Sequence, residues 1–199
     1  MTETKPKSLA RRAPEARRAR VVEAADQLFR DQGYDDTSIA QVAKRAGVAA
    51  GTVYLFFPDK PSLRIGVINA RKAQIAGLLA HLAPRPDDDL RTALARVIAP
   101  VLEHMLRTGP VGGPIDRTRL EDMGPEAVAA YDAVDDAIRD LFAMLEADGR
   151  ARPTDPKTMP ILSAGLMTSA VEGCRAGICS PEDMTTWLVD AFERLLRPG

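Results

Sequence analysis

Between Thr37 and Lys60 the chain sets hydroxyls (Thr37, Ser38, Thr52, Tyr54), an amide (Gln41) and cations (Lys44, Arg45, Lys60) around three small residues, Ala49, Ala50 and Gly51. These are the groups that contact phosphates and base edges in a nucleic-acid duplex. Small residues at a helix start let its backbone come close to base edges in a major groove about 12 Å wide, and the positive helix end faces phosphate. Thr52 brings a hydroxyl and a methyl, and Tyr54 a phenolic donor. Lys60 falls in the first turn of a further helix, where amides and an ammonium group can clamp one phosphate together. Taken singly, each residue has an ordinary reading: a packing glycine, a surface threonine, a core tyrosine. Their coincidence carries the argument.

Several elements must position this set. Val21, Val22, Ala25, Leu28 and Phe29 fall on one helical face, giving a first helix from Pro14 to a left-handed stop at Gly33. Tyr34 is expected to fold back onto it. Thr37 or Ser38 can accept an orphan amide, and Ser38 and Gln41 have capping-box spacing, so a second helix opens there, turns Ile39, Val42, Ala43 and Ala46 inward and ends at Gly47. Ala49 to Leu55 reads as a third short helix, and two short helices about a glycine turn make a helix-turn-helix. Asp59 is a natural cap for the next helix, and Pro61 is tolerated in its first turn.

The stretch Tyr34, Thr37, Ser38, Ile39, Ala40, Val42, Ala43, Ala46, Gly47, Val48, Gly51, Thr52, Val53, Tyr54, Phe57 and Lys60 resembles the DNA-binding head of the tetracycline-repressor (TetR) family. The resemblance covers about fifty residues. It implies an all-α protein of nine helices per subunit, a dimer, and repression of a palindromic operator relieved by a small molecule. It also implies phosphate contacts at Thr37 or Ser38, Thr52, Tyr54 and Lys60, with Ala49 through Leu55 as the recognition helix. The sequence departs from the family pattern at three places. Ala49 stands where serine is common, which removes a side-chain cap worth about 1 kcal/mol. Phe56 replaces a histidine or tyrosine, and Pro61 a frequent glutamate. Direct base readout therefore falls to Gln41, Lys44, Arg45 and Thr52, with Arg11 or Arg12 reaching the minor groove.

Three domains are expected: a flexible basic arm at 1–13, the helix-turn-helix domain at 14–60, and a helical effector-binding and dimerisation domain at 61–199. In the last, helices are read at 62–82, 90–107 with a kink at Pro100, 117–123, 126–148, 157–177 and 181–196, and a loop at 108–114. Met105, Tyr131, Val134, Ile138, Phe142 and Met167 are the apolar candidates for an effector pocket, with His81, His104 and Glu172 as polar candidates. Small residues Gly165, Ser169 and Gly173 allow close helix approach. With Trp187, Leu188, Phe192 and Leu195 they are the expected dimer interface. The effector is expected to be small and apolar or amphipathic.

Composition agrees with this division. Of 199 residues carrying a net charge of −1, the first sixty hold a surplus of three positive charges, so the remainder is acidic by four. A basic head on an acidic body fits a protein whose head alone meets phosphate. No nucleophile–base pair, metal-ligand cluster or phosphate-cradling glycine loop is legible, so neither catalysis nor a cofactor is expected. Cys174 and Cys179 are read as reduced, buried thiols whose spacing does not suit an unstrained disulfide. No apolar run approaches membrane-spanning length, and the basic N-terminus lacks the apolar core of a signal peptide, so a cytoplasmic location is expected.

Overall fold

The computed structural model describes residues 7–82, 84–109 and 120–197, with side chains from Pro14 onward. Among these residues the structure is all helical: eight α-helices and one short 3-10 turn at Glu121–Met123, against the nine helices expected. The difference lies at 117–123, where only that turn is helical among the described residues. The expected loop at 108–114 falls mostly outside them.

Contacts divide the chain into two units, with the division between Ala70 and Arg71 instead of at residue 60. In the first, α1 (Lys7–Gln32) packs on α2 (Ile39–Ala46) and α3 (Ala50–Phe56), and the opening turns of α4 (Lys60–His81) belong to the same unit. Its core is the expected face of α1 (Val21, Val22, Ala25, Leu28, Phe29) closed by Val42, Val53, Phe57, Leu63 and Val67. Helical backbone extends seven residues ahead of Pro14. Proline forfeits one donor and fixes a φ that a helix accepts, so it does not by itself set a helix start. Tyr34 does fold back, meeting the Phe29 ring edge-on at 5.2 Å.

The second unit contains the later turns of α4, α5 (Leu90–Thr108), α6 (Pro125–Ala147), α7 (Thr158–Arg175) and α8 (Pro181–Leu196). Pro100 lies inside α5. Asp89 and Ser180 cap α5 and α8, accepting from Thr92 N at 2.7 Å and Asp183 N at 3.0 Å. Arg91 ties α5 to α8 through Asp190 (2.5 Å) and Glu193 (2.9 Å). Leu188 and Phe192 are buried in this unit's own core, with Phe192 against Phe142. They are therefore removed from the expected dimer surface, and Leu195 is also packed against that core. Both cysteines are reduced, yet their sulfurs approach to 3.9 Å. Helix α7 stops at Arg175, so the turn that follows brings Cys179 back beside Cys174. No helix among the described residues is long and apolar enough to cross a membrane.

Candidate functional site

The helix-turn-helix is built by its caps. Ser38 Oγ accepts from Gln41 N at 3.3 Å, while Gln41 Oε1 accepts from Ser38 N at 2.7 Å, closing both halves of the capping box. At the other end Gly47 takes φ 64, ψ 41, and its amide returns to the carbonyls of Ala43 and Lys44. Only a residue comfortable in the left-handed region ends a helix this way without strain. Helix α3 follows at once. Its N-cap, Ala49, makes no side-chain cap bond, as the sequence implies.

Helix α3 is held by one wholly buried residue, Val53, and by Phe57 just beyond its end. Phe56 packs partly against the same core, and most of the remainder faces outward. Ala49, Ala50 and Gly51 are exposed, Thr52 is half-buried, Tyr54 is 53% exposed and Leu55 83%. A Cβ added at Gly51 would meet nothing within 4 Å. The protein itself therefore does not require glycine there; space is open on the outer side, where a ligand backbone would lie.

The other candidates divide into those at this surface and those tied up beneath it. Thr37 is 3% exposed, its hydroxyl donating to Gly33 O at 2.7 Å and accepting from Gln32 Nε2 at 3.2 Å. It locks the corner between α1 and α2 and is not presented to the surface, whereas Ser38 is exposed. Gln41 commits its carbonyl oxygen to the cap, which leaves its amide nitrogen as the polar group on the outer side. Arg45 is exposed and bonded to Asp31 at 2.9 Å, and Lys44 is exposed. Lys60 donates to Asp35 O at 3.0 Å with its ammonium 4.4 Å above the Tyr34 ring. Burial, ahead of the opposing pull of Arg64, raises the Tyr34 phenol above its ordinary value. The Arg11 and Arg12 side chains lie outside the described residues. Sequence reasoning did not single out Leu55, although a leucine at a position turned away from Val53 was a visible anomaly.

The second unit holds a largely apolar cavity of about 750 Å³, its open mouth included. Met105, Val134, Ile138, Phe142 and Met167 line it, as the sequence pattern implied. Tyr131 does not; it is buried one turn away, under the Lys72 ammonium at 4.5 Å. None of the polar candidates lines the cavity. His81 is exposed and bonded to Gly77 O, His104 is buried with Arg107 3.4 Å from its Nδ1, and Glu172 is exposed. The polar lining is Lys72, Ser163 and Thr168. Lys72 was overlooked because a lysine reads as surface, yet it shares a helical face with Ile68, Ile75 and Leu79.

Residues 21–66 match the family model described as bacterial regulatory proteins, tetR family. The chain is 34% identical over 87 residues to the HTH-type transcriptional regulator AcrR of Shigella flexneri, covering 43% of this chain and 40% of that protein. The matched stretches span 21–53% of the length of the curated relatives. Among solved structures, a TetR transcriptional regulator from Rhodococcus sp. RHA1 superposes with TM-score 0.57 at 27% identity over 90% of this chain and 94% of that one. RolR, solved with resorcinol, superposes with TM-score 0.63 at 21% identity over 93% and 89%.

Proposed function

We infer that this chain, a tetR-family transcriptional regulator with a helix-turn-helix head, works as a dimeric repressor that leaves a palindromic operator when a small molecule enters its second unit. The observation that carries this reading is the outer face of α3: an exposed Ala49, Ala50 and Gly51 with open space at Gly51, flanked by Tyr54, on a helix anchored on its other side by Val53 and Phe57. Such a helix is slim enough for the major groove, with its N-terminal residues against base edges. Thr52, Tyr54, Ser38 and Lys60 then serve the flanking phosphates, while Gln41, Lys44 and Arg45 supply base contacts beside α3.

Dimerisation follows from information content. One short helix reads too few base pairs, whereas a two-fold pair reads two half-sites about 34 Å apart. The exposed apolar set on α7 and α8, with Gly165, Ser169 and Trp187, supports a pairing surface there. The cavity in the second unit, and the resorcinol bound by RolR in the same fold, support a small-molecule effector. Selection of bound duplexes from a random pool tests the reading. An enriched palindrome with a steep negative salt dependence is expected; binding without sequence preference at any salt would refute it.

A further inference from the structure

We propose that Cys174 and Cys179 are a thiol–disulfide modification site: a small-molecule disulfide reacts first at the Cys179 sulfur, and Cys174 then closes a bond within the same chain. On an unbroken helix, residues five apart point about 140° away from one another, and such a pair could not join. Here the helix is broken. Helix α7 stops at Arg175. Gly177 takes φ 70, its amide returning to Cys174 O at 3.1 Å and the Ile178 amide to Gly173 O at 3.0 Å. These are the two bonds of a left-handed helix stop. Ser180 then caps α8, accepting from Asp183 N at 3.0 Å. Cys179 is held between these two caps, with its sulfur 3.9 Å from that of Cys174. A disulfide bond is about 2 Å long, so the remaining approach is on the scale of side-chain rotation and needs neither helix to unwind.

The surroundings assign the order of the steps. The Cys174 thiol donates to Ser180 O at 3.8 Å. Burial, and then the hydrogen bond with Cys179, push that thiol above its ordinary value. The thiolate is the nucleophile, so Cys174 is the partner that keeps its proton at the outset. Cys179 follows Ala176, Gly177 and Ile178, all exposed, with Ile178 at 78%, and a small molecule reaches it from solvent. The Cys179 thiolate attacks one sulfur of the small disulfide and expels the other as a thiolate. Cys174 then gives its proton to solvent and attacks the Cys179 sulfur, expelling the second small thiol. One small disulfide is reduced to two thiols, and the two protein thiols are oxidised to one disulfide. Among the described residues no histidine, carboxylate or further cysteine gathers with the pair to make a metal-ligand set, which leaves exchange as its chemistry.

Equilibration of the full chain in buffers of reduced and oxidised glutathione, read by intact mass after acid quenching, tests this. The folded chain should lose two hydrogens, and peptide mapping should place the link between Cys174 and Cys179. Because the fold already holds the sulfurs together, its equilibrium constant for oxidation should exceed that of the urea-unfolded chain by about tenfold, or about 30 mV. Cys174→Ser should stop at a glutathione adduct on Cys179. Cys179→Ser should form its adduct on Cys174 several times more slowly. Equal constants in the folded and unfolded chains, links between chains in place of links within one, or a pair that stays reduced throughout would overturn the site. A faster adduct on Cys174 than on Cys179 would overturn the order of the steps.

Discussion

The Lys60 ammonium lies 4.4 Å above the Tyr34 ring and donates to the Asp35 carbonyl at 3.0 Å. Residues 25 apart in sequence are thereby joined, and the start of α4 is fixed against the turn between α1 and α2. A lysine held in this way is preorganised as a point charge, which under the proposed reading serves a phosphate and not a base. Lys60→Ala should weaken binding to every duplex alike and reduce the steepness of the log–log salt dependence by about one. The selected consensus should stay the same. A shifted consensus in a repeat of the random-pool selection would refute the phosphate role.

Ser38 bears on stability more than on contact. Its hydroxyl and the Gln41 side chain satisfy amides at the start of an eight-residue helix. Ser38→Ala should cost about 1 kcal/mol in urea unfolding, with Ser38→Asp recovering most of it because a carboxylate also caps. Equal losses from both variants would show that the cap contributes little.

Legibility in the sequence followed how local each signal was. Helix α2 was fully legible, since Ser38, Gln41 and Gly47 are local instructions acting within a turn of themselves. The start of α1 was not, because proline suits a first helical turn without requiring one, and Pro14 lies inside the helix. Thr37 and Ser38 are both hydroxyl residues, and which one turns inward depends on Gln32 and Gly33 across a corner that spacing does not specify. In the second unit the stripe through Val134, Ile138 and Phe142 located the cavity, and Tyr131 extended it one turn too far. The wide apolar stripe of α8 has two sides. Periodicity found both, but only packing assigns Leu188 and Phe192 to the core and Trp187 to the surface. Ser163 and Lys72 left no local signal, because a cavity is made by helices far apart in sequence.

Gly66 is a case where packing demands the residue and sequence gives no hint. A Cβ placed there would lie 2.6 Å from Phe57 Cε1. Phe57 cannot yield easily: it is buried, and the Arg18 guanidinium sits 5.0 Å over its ring. Gly66→Ala should therefore destabilise the chain by about 1–3 kcal/mol, as overpacking does, despite the better helix propensity of alanine. Adding Phe57→Leu should make the two changes less damaging together than their sum. Strict additivity in the double-mutant cycle would contradict this contact.

Asp88 predicts an acid-side response. Arg96 grips its carboxylate through two bonds of 2.8 Å and the Arg85 amide adds one of 2.9 Å. The Arg96 bonds first, then that amide, hold the carboxyl down to about 2. The folded value is below the ordinary one, so the folded state favours the ionised group. That stabilisation is complete above the ordinary value of about 4 and is lost as pH falls through the folded value. Tm should fall between about pH 4 and pH 2 more steeply for the native chain than for Asp88→Asn. Parallel curves would remove Asp88 from the account.

Ile161, Gly165 and Ser169 recur every four residues along the outer side of α7, and Trp187 and Ala191 do the same on α8, all of them exposed. Ile161 is 63% and Trp187 57% exposed, while Gly173 is half-buried, with Met184 3.4 Å from where a Cβ would lie, and so contributes less to an outer face. Large apolar side chains beside glycine and serine are suited to a tight helix pair in which the bulky groups of one subunit enter the low relief of the other. Charge placed at the centre of such a face would be buried without a partner on association. Ile161→Asp with Trp187→Asp should therefore yield monomers in sedimentation equilibrium. Because both positions are exposed within the subunit, thermal unfolding of the monomer should remain cooperative. A doubly substituted chain that stays dimeric would move the pairing surface elsewhere. A monomer that still bound the full palindrome with native affinity would instead break the link between pairing and operator recognition.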